Sequence, residues 1–194
     1  MPNPSPKYDW QTKHLYLIIA DEDYLAARAL ALMGMPRPAG VLAEQAVEKY
    51  IKLNFMEKNF IVHRIKPPHD IQQLFKLLKT ASVKVGDFKY HSEILKRLYE
   101  SFEYKYFDDQ SLKGILQKKG RISIGLGMSH LDQFDELCME LRNNNNCDSG
   151  ATPVYKAAQL GKPWFDRDDI NLAYAFHTKN KFSKSFKINR LARG

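Results

Sequence analysis

Between Leu15 and Met33, apolar side chains recur at helical spacing, as Leu15, Ile18, Ile19, Leu25, Ala26, Ala29, Leu30 and Met33. Gly34, Pro36 and Pro38 follow at once, and they end the repeat: glycine suits a left-handed cap, and proline cannot continue the hydrogen-bond ladder. A second stripe runs from Ala39 to Glu57, with Leu42, Ala46, Val47, Tyr50, Ile51 and Leu53 on its buried side. A third starts near Pro68 and places Ile71, Leu74, Phe75 and Leu78 at i, i+3, i+4 and i+7. A fourth spans Phe88 to Tyr106, with Ile94, Leu95, Leu98, Tyr99, Phe102 and Tyr106 inward. Four such stripes with short connections predict an all-α fold, an antiparallel up-and-down bundle of four to five helices.

Beyond residue 110 the pattern is weaker and implies a mostly helical C-terminal extension. GRISIGLGM (Gly120 to Met128) reads as a short extended segment or loop, and its Gly-Leu-Gly lacks the Lys-Ser/Thr context of a phosphate loop. Ser129 with Asp132 predicts the N-terminal cap of a helix from His130 to Leu141. NNNNCDSG then breaks the chain as a surface loop, and a last helix is expected from Asp166 to His177. The expected organisation is a flexible lead over residues 1–12, the bundle over 13–110, and an extension over 111–194 packed on the same domain.

Charge is uneven. Residues 1–110 hold 16 basic and 14 acidic side chains, whereas 111–194 hold 14 and 8, so most of the net +8 lies in the second part. Lys179, Lys181, Lys184, Lys187, Arg190 and Arg193 follow one another with no acid between them. Such a tail suits a polyanion, because cations that neutralise phosphates release condensed counterions, and Phe182 and Phe186 could stack on bases. The alternative is a solvated terminus whose phenylalanines dock on the body.

The two cysteines, Cys138 and Cys147, are too few for a disulfide framework, and the six scattered histidines lack the spacing of a metal site. We therefore expect no metal and no cofactor. With no apolar run of membrane-spanning length and no signal pattern, the sequence reads as a cytoplasmic protein.

Three segments in order carry a family resemblance: ALALMGMPRPAGVLAEQAVEKYIKLNF, then PPHDIQQLFKLL, then EILKRLYESFEYKYFDD. Through Gln45, Ala46, Glu48 and Lys49, then His69, Asp70 and Ile71, then Tyr99, Tyr104, Lys105 and Tyr106, the chain resembles the HEPN domain (higher eukaryotes and prokaryotes nucleotide-binding domain). The resemblance covers about half the chain. It implies an all-α bundle, homodimerisation and binding of nucleotides or RNA, with Gln45, Glu48, Lys52, His69, Asp70 and Lys105 as the candidate nucleotide-binding residues. Some members resemble one another as metal-independent ribonucleases with an Arg-to-His motif; others are non-catalytic partners of nucleotidyltransferases. No Gly-Ser followed by Asp-x-Asp is present, so such a transferase would be a separate protein.

Arg64 and His69, with four residues between them, match the ribonuclease spacing. A histidine near its pKa can move the 2′-hydroxyl proton, and an arginine can stabilise the phosphorane. Pro67 and Pro68, however, rule out a continuous helix between the two, and an extended path separates their alpha carbons by roughly 15 Å. The same stretch reads equally as a helix entrance, with proline in the first turn and Asp70 facing the positive helix end. The favoured reading is a nucleotide- or RNA-binding accessory module that is not a catalyst. The alternatives are an endoribonuclease of toxin type using Arg64 and His69, and a structural protein-interaction module.

Overall fold

The computed structural model describes residues 8–60, 70–103, 125–145, 152–159 and 170–182. Seven α-helices are formed among them: α1 (Trp10–Leu32), α2 (Pro36–Glu57), α3 (Ile71–Thr80), α4 (Phe88–Glu103), α5 (Leu131–Asn143), α6 (Pro153–Gln159) and α7 (Ile170–His177). A 3-10 turn, Met128–His130, leads into α5, and no strand occurs among the described residues.

The helix ends follow local chemistry. Asp9 caps α1 by accepting from the Thr12 N–H at 2.6 Å, so the helix starts at Trp10, inside the stretch expected to be a flexible lead. At its other end Gly34 adopts φ +75°, its N–H bonds the Ala31 carbonyl, and the Met35 N–H reaches Leu30 at 2.8 Å. This double closure is a Schellman motif, and it turns the chain directly into α2. The second helix begins three residues before its predicted start because Pro36 occupies N1, where a missing N–H costs nothing.

α3 begins at Ile71, three residues after the expected start near Pro68. Asp70 is its N-cap and accepts from the N–H groups of Gln72 and Gln73 at 3.0 and 3.1 Å. Asp70→Ala is expected to cost about 1 kcal/mol, the usual loss for a capping carboxylate, measured as a lowered urea midpoint at unchanged slope. The start of α5 also departs from the sequence reading. His130 is its N-cap position with no capping side-chain bond, and Ser129 Oγ instead lies 3.1 Å from His130 Nδ1. The preceding 3-10 turn shifts Ser129 away from the first free N–H groups.

α1 and α2 form an antiparallel hairpin, with Lys13 paired to Glu57 at 3.5 Å and Lys49 to Asp23 at 2.6 Å. α2 is central and packs against α1, α3, α4 and α5. Leu17, Leu25, Val47, Ile51, Leu74, Phe75, Leu95, Leu98, Phe134 and Leu137 all enter one core. Each such side chain contributes about 1.5–3 kcal/mol by leaving water. α5, α6 and α7 pack on α1, and Val154, Ala157 and Phe176 join the same core, so these described helices pack into the bundle.

Two ion pairs hold that extension. Asp21 and Arg28 lie two turns apart on α1, and Asp135 and Arg142 lie two turns apart on α5. The helices run antiparallel, so the charges cross-pair: Arg142 grips Asp21 through two bonds of 2.9 and 3.1 Å, and Arg28 pairs with Asp135. Asp21 also accepts from Tyr50 Oη at 2.7 Å and from the Val154 N–H at 3.1 Å, which saturates its oxygens. Burial pushes the Asp135 carboxyl up to about 6, against the pull of Arg28 and Tyr24. Between these pairs the Cys138 thiol is buried, and desolvation raises its pKa well above the usual value. A thiol held protonated in this way is a packing group rather than a nucleophile.

Candidate nucleic-acid interface

α4 buries Ile94, Leu95 and Leu98, which turns Tyr90, Glu93 and Arg97 toward the edge of the bundle beside α5. The two helices are antiparallel neighbours and meet in polar rungs. Tyr90 Oη donates to Glu136 at 2.6 Å, His91 Nε2 lies 2.7 Å from Glu140, and Glu140 also accepts from the Gly86 N–H. Farther along, Arg97 and Glu93 face His130 closely enough to act on its charge. Burial first, and then Arg97, hold the His130 imidazole below the usual histidine range, while Glu93 pulls the other way. The hydrogen bond from His91 is the largest cause keeping Glu140 below the ordinary glutamate range, and that from Tyr90 does the same for Glu136.

The root of the basic tail is fixed on this same edge. Arg28 donates to the carbonyls of Ala175 at 2.7 Å and Thr178, and so closes the C-terminus of α7 from within the core. Asn180 is buried and donates to Tyr24 Oη at 3.0 Å, and Tyr24 in turn donates to Asp135 at 2.8 Å. Phe182 packs partly buried against the core. Lys179 and Lys181 therefore emerge at defined places: Lys179 Nζ lies 3.9 Å from Met128 Sδ, and Lys181 Nζ pairs with Glu136 at 3.1 Å.

The resulting surface carries an exposed aromatic, Tyr90, at 65% exposure, and an exposed Met128. Around them lie the cations Arg97, Lys179 and Lys181, with Lys89 and Lys96 exposed on α4. The carboxylates Glu93, Asp132, Glu136 and Glu140 share this edge, which is therefore of mixed charge; its exposed ring and cations are groups of the kind that contact bases and phosphates. Among the described residues no group of three or more His, Cys, Asp or Glu side chains is placed to hold a metal ion. None of their helices is long and apolar enough to cross a membrane.

The residues singled out from the sequence are distributed differently. Glu48 and Lys52 pair with each other on α2, and Gln45 is half-buried one turn earlier on the same helix. Asp70 is engaged as the α3 cap and also accepts from Gln73 Nε2 at 2.8 Å. Of the basic tail, Lys179 and Lys181 are described; Lys184, Lys187, Arg190 and Arg193 lie outside the described residues. Arg64, His69 and Lys105 lie outside them too.

Sequence reasoning passed over Tyr90, Arg97 and His130. The signal for the first two was available, since they sit seven apart, flanking the apolar stripe of α4. For His130 there was none, because its neighbours on α4 come from more than thirty positions away.

Among known families, the sequence model described as "HEPN domain" matches residues 14–124, which runs from α1 through α4 to the segment just before Gly125. No curated protein and no solved structure gives a significant match.

Proposed function

Since the chain belongs to the HEPN domain family, which points to a nucleotide- or RNA-related role, we propose that it is a nucleotide- or RNA-binding accessory module and not itself the catalyst. The observation that carries this reading is the anchoring of the basic tail. Its first residues are held beside Met128 and Glu136, the partner of Tyr90, by the buried Arg28, Tyr24 and Asp135 network. A strand of nucleic acid tracking the tail would thus be delivered onto the α4–α5 edge. Lys49 and Lys52 on the α2 face are paired with Asp23 and Glu48, as Lys181 is with Glu136, so in this reading the charge for a polyanion comes chiefly from Lys184, Lys187, Arg190 and Arg193 of the tail.

The partners in this reading are a second copy of the chain, as is common among HEPN domains, and a separate nucleotidyltransferase for which the module would supply a substrate-holding surface. The basic tail favours that division of labour, since Lys179 to Arg193 offer charge for holding a polyanion with no acid among them.

Fluorescence anisotropy with a labelled single-stranded oligoribonucleotide tests the proposal. Binding is expected at low salt and should weaken steeply as salt rises. Truncation after Phe182 removes Lys184, Lys187, Arg190 and Arg193 while leaving the core residue Asn180 in place. It should flatten the log K against log salt slope by about 0.7 for each phosphate that is no longer neutralised. Absence of binding by the full chain at low salt would overturn the reading.

A further inference from the structure

We propose that the solvent face of α1 is the surface through which two copies of this chain pair, antiparallel about a two-fold axis that passes beside Glu22. This deepens the reading above, in which a second copy is a partner, and rests on that part of it. The inner side of α1 is formed by buried residues such as Leu17, Ala20, Tyr24 and Ala31. Its outer side is apolar as well: at helical spacing it carries Leu15, Ile18, Ile19, Ala26, Ala29 and Met33, with Gln11 and Glu22 as the polar exceptions. Leu15 is 55% and Met33 70% exposed, and the other four are half-buried. A helix that is apolar all round belongs inside a protein, yet this one keeps one side in water. Of the seven large apolar side chains exposed among the described residues, four (Trp10, Leu15, Met33 and Met35) lie on α1 or at its exit, so the exposure is concentrated rather than scattered.

The pattern of that face fits a second copy. Its N-terminal half is bulky, with Leu15, Ile18 and Ile19, whereas its C-terminal half has Ala26 and Ala29 before Met33. Laid antiparallel with position 24 on the axis, the isoleucines of one helix cover the alanines of the other and Leu15 meets Met33, each contact occurring twice. At both ends the exposed Arg37, just past the turn after α1, comes over the first turn of the other copy, where Asp9 is exposed. From Trp10 to Met33 the helix is about 35 Å long and about 10 Å wide, so each copy contributes on the order of 350 Å² before the Met35–Pro38 turn is added. That is well under the roughly 800 Å² per partner of a standard interface, which makes the dimer weak and concentration-dependent. Glu22 falls two positions from the axis, close to its own counterpart. Two like charges there oppose pairing, whereas a partner helix with a cation at that point would gain from Glu22, so the charge reports which occupant is bound.

Sedimentation velocity of the full chain should show a monomer–dimer equilibrium with a Kd on the order of 10–100 μM. Leu15→Glu with Met33→Glu changes positions that are exposed in the single copy, so the helical circular dichroism and the melt should be retained while Kd rises about a hundredfold or more. Glu22→Gln should lower Kd about threefold at pH 7. Chains carrying Leu15→Cys and Met33→Cys should, once mixed and oxidised, give a disulfide-linked heterodimer above the background of the unaltered chain, and neither should do so alone. A chain that stays monomeric at the highest concentration, or a dimer indifferent to Leu15→Glu with Met33→Glu, overturns the proposal. Weakening by Glu22→Gln overturns the second copy as occupant in favour of a cation-bearing partner helix, and absence of the mixed disulfide overturns the antiparallel register. Oligoribonucleotide anisotropy on the same proteins keeps the two readings apart: RNA binding without self-association sinks this inference alone, and self-association without RNA binding sinks the RNA reading alone.

Discussion

Arg28→Ala is expected to destabilise the protein by about 3–5 kcal/mol at pH 8, the range for removing one partner of a buried ion pair. The substitution leaves Asp135 charged in the core and strips the Ala175 and Thr178 carbonyls of their donors. For a chain of this size a loss of that order lowers the melting temperature by about 6–20 °C. The effect also carries a pH signature. Asp135 already titrates at about 6 with its guanidinium partner present, and without Arg28 burial meets less opposition and moves it higher. Below both values the carboxyl is neutral in either protein, so the destabilisation should shrink as pH falls and grow as pH rises through 6. Thermal melts of both proteins between about pH 5 and 8 measure this. A difference that stays constant across that range would mean that Asp135 is not the group left stranded.

Gly125→Ala should produce the second large effect, about 2–4 kcal/mol, from backbone strain and overpacking together. Gly125 has φ +99°, and a Cβ there would sit 2.0 Å from the Pro36 carbonyl oxygen. That oxygen accepts the Leu126 N–H at 2.9 Å, and the Gly125 N–H donates to Ser101 Oγ at 3.1 Å, so neither neighbour can retreat without losing a buried bond. On α2, Gly40 faces the same joint, where an added Cβ would lie 2.7 Å from the Gly125 Cα. Gly34→Ala is the control. Its φ is +75° but nothing lies within 4 Å of an added Cβ, so only conformational strain of about 1 kcal/mol is expected. Chemical denaturation of the two variants should therefore separate the steric part at Gly125 from the backbone part common to both.

Gly125 also marks the limit of what residue patterns reveal. The Gly-Leu-Gly stretch lacks the context of a phosphate loop, and its actual use, a close crossing of α2 and α4, depends on Pro36 and Ser101 and has no local signature. Ser129 fails as a predicted cap for a similar reason: the 3-10 turn that displaces it lies between Leu126 and Leu131, both buried in the core. Gly34, by contrast, is legible, because a left-handed helix end is a property of the residue and its immediate neighbours. The cross-paired charges fall between these cases. Asp21 and Arg28, and Asp135 and Arg142, each repeat at seven residues, a spacing visible in the sequence, but only the antiparallel packing of α1 on α5 makes them partners.

The apolar repeat read on α1 is not its buried face, since Leu15 and Met33 are exposed while Leu17, Ala20, Tyr24 and Ala31 are buried. The sequence alone determined the helical class, the order of α1 to α4, the buried faces of α2 and α3, the glycine stop after α1, the basic bias of the C-terminus and the HEPN resemblance. Apart from the resemblance, which rests on the motif residues around Gln45, His69 and Tyr99, these arise from periodicity, local backbone preference and composition, which act over a few residues at a time. Tertiary structure decided that the C-terminal helices complete the core rather than append to it. It also decided that Lys49 and Lys52 are neutralised, and that Tyr90, Arg97, His130 and the tail root share one edge. Those outcomes depend on which charges and surfaces meet across a hundred or more residues of chain, and burial in a common core is what brings them together.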